Sequence, residues 1–413
     1  MIKYYDMSWI TKRIKDAARN DIDDIMNKNN YIYDTKEFED RFKRFTGASY
    51  CIGVSSGTAA LHLALDAIGI KKGDQVATVS HTFRATVAAI KYVGAEPVYV
   101  DIDPNTFNMN PDDLERKITL YHAKVIKDFD SNDEKFLVGF HGQTIYHNSR
   151  DKISMQLGDG KLLHQLTKKK IVFNFRKNDI LSGGEGAPLT PIFHQLVVSQ
   201  KKISLPVCVL NIGGISNYTI INKQVGSTEI YSQDIGPGNC LIDSWVRKNS
   251  SRKFDRDGNL ASNGNINEII LEQAQELYMN RIEKKKLSFD TNDFDISFSR
   301  GLSLEDGAAT LTEFTAGIIG ESLSILLKKN NLIKDILICG GGRKNKVLMS
   351  KLIKNLPSKI NIKLIDAFKI DGDFIESQAF AFLAIRRYIE LPITFPSTTN
   401  CSKPSIGGEI IDN

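Results

Sequence analysis

The stretch Val209–Trp245, VLNIGGISNYTIINKQVGSTEIYSQDIGPGNCLIDSW, decides how this chain is read. It holds two glycine-bearing turns, each after a short run rich in Val, Ile or Tyr, the pattern of a strand leading into a ligand-facing loop. In the first, Asn211-Ile212-Gly213-Gly214-Ile215-Ser216-Asn217, the paired glycines lack a Cβ and let backbone N–H groups come close to an anion. The second sets Asp234 just before Gly236-Pro237-Gly238-Asn239, where a fixed carboxylate can take a proton from water or a hydroxyl. Taken singly, each is equally a hairpin or strand-end turn, because glycine turns are abundant.

Working outward, the chain of 413 residues has length for two or three domains, with 41% hydrophobic and 25% charged residues, an ordinary globular balance. The net charge of +5 is mild, and the runs Lys168–Lys170 and Lys284–Lys286 lack interleaved aromatics, which argues against a nucleic-acid partner. No apolar run reaches the roughly 18 residues of a membrane span, and the N-terminus lacks the apolar core of a secretory signal. The five cysteines are scattered without a C-x-x-C pair, so they read as reduced, mostly buried thiols of a cytoplasmic protein and not as metal ligands.

In the N-terminal third, residues 1–30 and Tyr33–Phe45 read as helices. A strand Tyr50–Val54 leads through Ser55-Ser56-Gly57-Thr58 into a helix Ala59–Ile68, a junction suited to cradling phosphate. Strands Val76–Ser80 and Pro97–Val100 flank a helix Thr86–Tyr92, and this alternation predicts a parallel sheet. Gly53-Val54-Ser55-Ser56-Gly57 matches a nucleophile-elbow pattern but lacks an evident Asp and His to follow it. The segments SSGTAALHLAL, GDQVATVSHTFRATVAAI and GAEPVYVDIDPNTFNMNPDDLERKIT resemble the DegT/StrS family of PLP-dependent sugar aminotransferases. The resemblance implies that Ser56, Gly57 and Thr58 hold the PLP phosphate and that Phe83 stacks on the pyridine ring. It ends near Thr119, and no later motif supplies the Schiff-base lysine or the acid that holds the pyridinium nitrogen. Competent PLP binding is therefore not expected.

Beyond the charged seam Asp130–Lys135 the texture changes. The motifs GFHGQTIYH, FRKNDILSGGEGAPLTPIFH, NIGGISN, DIGPGN, DGAATLTEFTA, ICGGGRKN and GDFIESQAFAFLA follow in order to the C-terminus. Together they resemble the anhydro-N-acetylmuramic acid kinase family of the sugar-kinase/Hsp70/actin superfamily. The resemblance implies an α/β fold with a truncated ribonuclease H-like core over residues 132–413, preceded by a partial fold-type-I aminotransferase segment over 1–125. It implies an enzyme of peptidoglycan recycling, acting on a small amino sugar with ATP and Mg, and leaves room for a homodimer.

Asp234 then takes the place of the catalytic aspartate, and His141, Gln143, Thr144, Arg176 and Glu376 line the sugar pocket. Arg176 suits a lactyl carboxylate, and Glu376 is equally a helix N-terminal carboxylate favoured by the dipole. Gly213, Gly214, Gly340, Gly341 and Gly342 form the ATP-side turns. No protein ligands for a metal are assigned. Three departures stand out: Ile235 replaces the usual threonine after the aspartate, Asn174 replaces an aspartate before Phe-Arg, and the family's first phosphate loop, Gly-Thr-Ser-x-Asp-Gly, is missing. The rival readings are a PLP-dependent aminotransferase-like protein acting on nucleotide sugars, and an inactive fusion of two truncated halves.

Overall fold

Val207–Ile212 (β7) is buried at all six positions, as expected of an interior strand with both faces covered. The computed structural model describes residues 19, 23, 35–129, 136–148, 151–224, 227–281, 289 and 291–412. Beside β7 lie β8 (Ile215–Gln224) and β9 (Ser227–Pro237), joined as an antiparallel meander. On its other side β10 (Asp335–Cys339) and β11 (Asn361–Leu364) run parallel to it, so the sheet order is β11-β10-β7-β8-β9.

Side-chain alternation divides this sheet into two covered faces. Cys208, Leu210, Ile212, Ile336 and Ile338 pack on one face with Ile319, Leu323, Leu326 and Leu327 of the helix Leu304–Lys329. Val207, Val209, Leu337 and Cys339 pack on the other with Phe193 and Val197 of the helix Pro191–Gln200 and Ala379 of the helix Ile375–Tyr388. The helix Leu304–Lys329 is long and apolar enough to cross a membrane by length and composition. However, 67% of its apolar window is buried, as in a core helix.

A second sheet runs β12-β6-β3, with β3 (Leu137–Gly139) parallel to β6 (Lys170–Phe173) and β12 (Glu409–Ile411) antiparallel to β6. β4 (Gln143–Asn148) and β5 (Ile153–Leu157) form a hairpin. Further toward the N-terminus, β1 (Gln75–Val79) and β2 (Glu96–Val100) form a parallel pair linked by the helix Arg84–Tyr92.

The chain divides into two compact units, residues 1–64 and 65–413. In the first, Lys36–Thr46 is helical and ends on Gly47 in the left-handed conformation, as the pattern predicts.

One sequence expectation is corrected. Tyr50–Val54 is not a strand: among the described residues none pairs with it, and Tyr50 and Ile52 are 85% and 80% exposed. The region after Leu391 carries the short helix Pro396–Thr399 and β12, whose three residues gain strand geometry only by pairing with β6. The expected helix over residues 1–30 lies outside the described residues apart from Arg19 and Asp23, as do Asp130–Lys135 and Lys284–Lys286. The five cysteines are unpaired, and burial pushes the thiols of Cys208 and Cys339 up to about 12.

Leu323 has no exposed surface and sits in the middle of the helix-on-sheet contact. Leu323→Ala is expected to cost about 2–5 kcal/mol in a urea melt, the range for a buried Leu truncation. A loss under ~1 kcal/mol would mean that this helix does not hold the sheet.

Candidate active site

Because β3 and β6 are parallel neighbours, their C-terminal ends lie side by side, and the segments leaving them carry His141 and Arg176. After β6, Asn174 adopts the left-handed conformation at φ 55°, a region Asn tolerates better than most residues, and Phe175 is buried behind it. Arg176 follows as the N-cap of the helix Lys177–Leu181. Its Nε–H donates to His141 Nε2 at 3.1 Å, and its Nη1–H donates to the Gly186 carbonyl at 2.7 Å. Since a guanidinium has no acceptor, His141 must accept at Nε2 and carry its proton on Nδ1, 3.0 Å from the Gly142 carbonyl. The His141 ring also packs on Phe380 at 4.5 Å between centroids.

Desolvation sets the charges here. Burial lowers Arg176 to about 10, while the negative charges of Glu376, Asp179 and Asp234 act to raise it. Arg176 nonetheless keeps part of its surface accessible. His141 falls to about 4, first through burial and then through the Arg176 charge, so it is neutral at pH 7. Glu376, in the first turn of the helix Ile375–Tyr388, is exposed. Gln143 and Thr144 open β4 beside His141: the Gln143 amide donates to the Thr144 carbonyl at 3.3 Å, and Thr144 Oγ1 accepts from Gln156 Nε2 at 3.3 Å.

Asp234, 8% exposed near the end of β9, accepts the Phe289 N–H at 2.9 Å. It pairs across the sheet with Asn217, and a bulge follows, since the next pair is Ser216 with Gly236. Such a bulge re-aims side chains locally. Ile235 turns into the core with Leu210, Ile212 and Ile319, so the side chain after the aspartate is part of the packing.

The Gly213-Gly214 turn closes the β7–β8 hairpin, and its carbonyls receive the N–H groups of Asn239 at 2.7 Å and Gly238 at 2.8 Å. Gly213 donates its own N–H to the Ile215 carbonyl at 3.2 Å, and the outward position of the turn is the exposed Gly214. Gly340, at φ 81°, follows β10 and nests against the end of β7, where a Cβ would lie 2.5 Å from Asn211 Oδ1 and 2.6 Å from the Ile212 carbonyl. Gly342 packs on Ile212, and a Cβ on Gly341 would lie 3.7 Å from Asn239 Nδ2. The three glycine turns are therefore in mutual contact at one end of the sheet.

In the first unit, Ser56 Oγ accepts the Ala59 N–H at 3.1 Å, and Gly57 and Thr58 begin the helix Gly57–Ala67. In the second, Phe83 precedes the helix Arg84–Tyr92 and is 72% exposed.

Sequence reading missed three residues. Asp179 has no exposed surface and lies one helical turn after Arg176. Arg343 makes a bidentate pair with Asp366 at 2.7 and 2.9 Å, donates from Nη1 to Gly340 O at 3.0 Å and to Asp373 Oδ1 at 2.8 Å, and so clamps the glycine loop. This pair holds the Asp366 carboxyl down at about 2. Asn217, opposite Asp234, has a buried Oδ1 with no hydrogen-bond partner among the described residues. An aspartate three residues after Arg176 was a visible signal, whereas the partners of Arg343 lie 23 and 30 residues away in sequence.

The profile of the anhydro-N-acetylmuramic acid kinase family matches residues 49–413. The chain belongs to that family. The anhydro-N-acetylmuramic acid kinase of Pelagibacter ubique (strain HTCC1062) is 52% identical over 317 residues, 76% of this chain and 84% of the relative. The relative of the same name from Rhodospirillum rubrum is 35% identical over 370 residues, 88% of this chain and 94% of its own. The family match thus takes in much of the stretch that resembles aminotransferases. A solved DegT/DnrJ/EryC1/StrS aminotransferase from Brucella abortus is 32% identical over 31% of this chain and 34% of its own, at a TM-score of 0.27, too low to speak for the fold.

His141 and the fully buried His194 both have pKa values lowered to about 4 from the ordinary 6.5. Between these values the unfolded chain takes up protons that the folded chain refuses. Their contribution to stability is therefore complete above pH 6.5 and is lost as pH falls toward 4. Urea melts at pH 7, 5.5 and 4.5 should show this decline, and it should be shallower in His141→Gln. Identical declines in the two proteins would show that His141 titrates normally.

Proposed function

We propose that the chain is an ATP-dependent kinase that opens the 1,6-anhydro ring of anhydro-N-acetylmuramic acid and phosphorylates O6, as expected in peptidoglycan recycling. Beside family membership, the observation that supports this reading is the contact of Arg176 with His141 where β6 and β3 end, with the charges of Glu376 and Asp234 acting on the guanidinium. In this reading Asp234 is the general base. It takes a proton from a water whose oxygen bonds to the anomeric carbon, the bond from that carbon to O6 breaks, and O6 accepts the γ-phosphoryl group of ATP. The Phe289 N–H that holds Oδ2 fixes the carboxylate for that work. Arg176 and His141 bind the sugar, the guanidinium offering a charge-assisted contact to its lactyl carboxylate. Glu376, Gln143 and Thr144 complete the pocket.

The turns at Gly213-Gly214 and Gly340–Gly342 suit a nucleotide, because polyphosphate can approach the backbone where side chains are missing. Among the described residues no group of three or more His, Cys, Asp or Glu is placed to hold a metal. Beside ATP, Mg²⁺ is usually carried on the phosphates and water, with few protein ligands. Bound there, it would neutralise charge on the transferring phosphoryl group.

No Gly-Thr-Ser-x-Asp-Gly stretch occurs in the chain, so one phosphate-binding turn is not available and turnover should be low. We read residues 1–125 as an aminotransferase-like fragment preceding the kinase-like residues 132–413, with Ser56, Gly57, Thr58 and Phe83 as remnants of a PLP cradle.

Asp234→Asn should reduce sugar-dependent ADP release at least about a hundredfold while calorimetry still detects the sugar, because a general base acts on the chemical step. ADP release that depends on the sugar and survives the substitution would remove Asp234 from the base role.

A further inference from the structure

The carboxylate of Asp179 has no exposed surface and stands in no role described above, yet both of its oxygens are engaged. Oδ2 accepts the Gly186 N–H at 2.7 Å, and Oδ1 accepts the Thr399 hydroxyl at 2.6 Å. The carbonyl of that same Gly186 receives Arg176 Nη1. Gly186 sits in the left-handed conformation at φ 70°, and Gly184 lies so close to the Asp179 carboxylate that it has no room for a Cβ. The loop is tied from the C-terminal side as well, through Glu185 N–H to the Thr399 carbonyl at 2.8 Å and Ser402 N–H to the Ser182 carbonyl at 3.0 Å.

We propose that Asp179 is the positioning residue for Arg176, acting through the Gly186 backbone, whose N–H it holds and whose carbonyl Arg176 meets, and braced by Thr399. The physical basis is a fork. One guanidinium nitrogen is held by His141 and one by Gly186, and these two acceptors set the plane of the guanidinium and so the direction of its remaining N–H groups. His141 is seated by its contact with Gly142 and by Phe380. The loop is tied at Glu185 and Ser182 too, but the bond on the Gly186 N–H itself, and so on the backbone turn that aims its carbonyl at Arg176, is the one to Asp179. Burying a carboxylate is costly unless hydrogen bonds and an opposite charge answer it. Here the charge is answered by the Arg176 guanidinium itself.

The proposal rests on the sugar-pocket reading of Arg176, and the test separates the two. The affinities of the full-length protein for anhydro-N-acetylmuramic acid and for ATP are measured by calorimetry, with thermal unfolding alongside. Asp179→Ala should weaken sugar binding about tenfold or more and leave ATP binding within about twofold, since it leaves a buried N–H unmatched and lets the loop drift. Asp179→Asn keeps an acceptor for Gly186 and should recover most of the loss. Thr399→Val, which removes only the brace, should weaken sugar binding about threefold, and it serves if Asp179→Ala does not fold. Equal loss of both ligands, an Asn variant as weak as the Ala variant, or unchanged sugar affinity in Thr399→Val would overturn the proposal. Unchanged sugar affinity in Asp179→Ala beside a large loss in Arg176→Ala would overturn it while sparing the pocket. Unchanged affinity in Arg176→Ala would bring down both.

Discussion

A guanidinium that stays charged while protein surrounds it must be answered from every side, and the residues around Arg176 are arranged to that need. Burial pulls its proton affinity down, and three carboxylates, Glu376, Asp179 and Asp234, act against that. These residues come from different elements: the first turn of a helix, the helix that Arg176 itself caps, and the end of β9. The neutral His141 and the Gly186 carbonyl supply what carboxylates cannot, acceptors at fixed angles. Exchanging any one of them changes the electrostatic environment of the rest, because charges at this depth are weakly screened.

On the other side of Asp234 the constraint is steric. The end of β10 comes so near the end of β7 that residue 340 must be glycine, both for its left-handed φ and for the Asn211 amide and Ile212 carbonyl it faces. That close approach puts the loop after β10 against the β7–β8 turn, which in turn receives the N–H groups of Gly238 and Asn239. Arg343 then locks the loop from behind through Asp366 and Asp373, with Lys344 also on Asp373. These bonds fix the three turns against one another. Asp234 stands near the end of β9 that leads into them, with its orientation set by Phe289 and by the bulge at Ile235.

How much of this could be read in the chain varies with the reach of each interaction. The order of strands and glycine turns, the apolar run of β7 and the candidate Asp234 were all visible, because each is a local pattern in neighbouring residues. Ile235 read as a lost hydroxyl, and only the packing of its side chain with Leu210 and Ile319 gives it a structural role. Tyr50–Val54 has strand composition without a partner to pair with, and β12 has a partner without strand length.

By itself, then, the sequence determined the elements, the glycine positions and the family resemblance, since backbone preference and side-chain period act over a few residues. The tertiary structure alone decided which of those residues meet. Asp179 with Thr399 spans 220 residues, Lys177 with Glu409 spans 232, and Arg343 with Asp373 spans 30. Contacts of that separation depend on where parallel strands end and which helix covers them, and no local pattern carries that information.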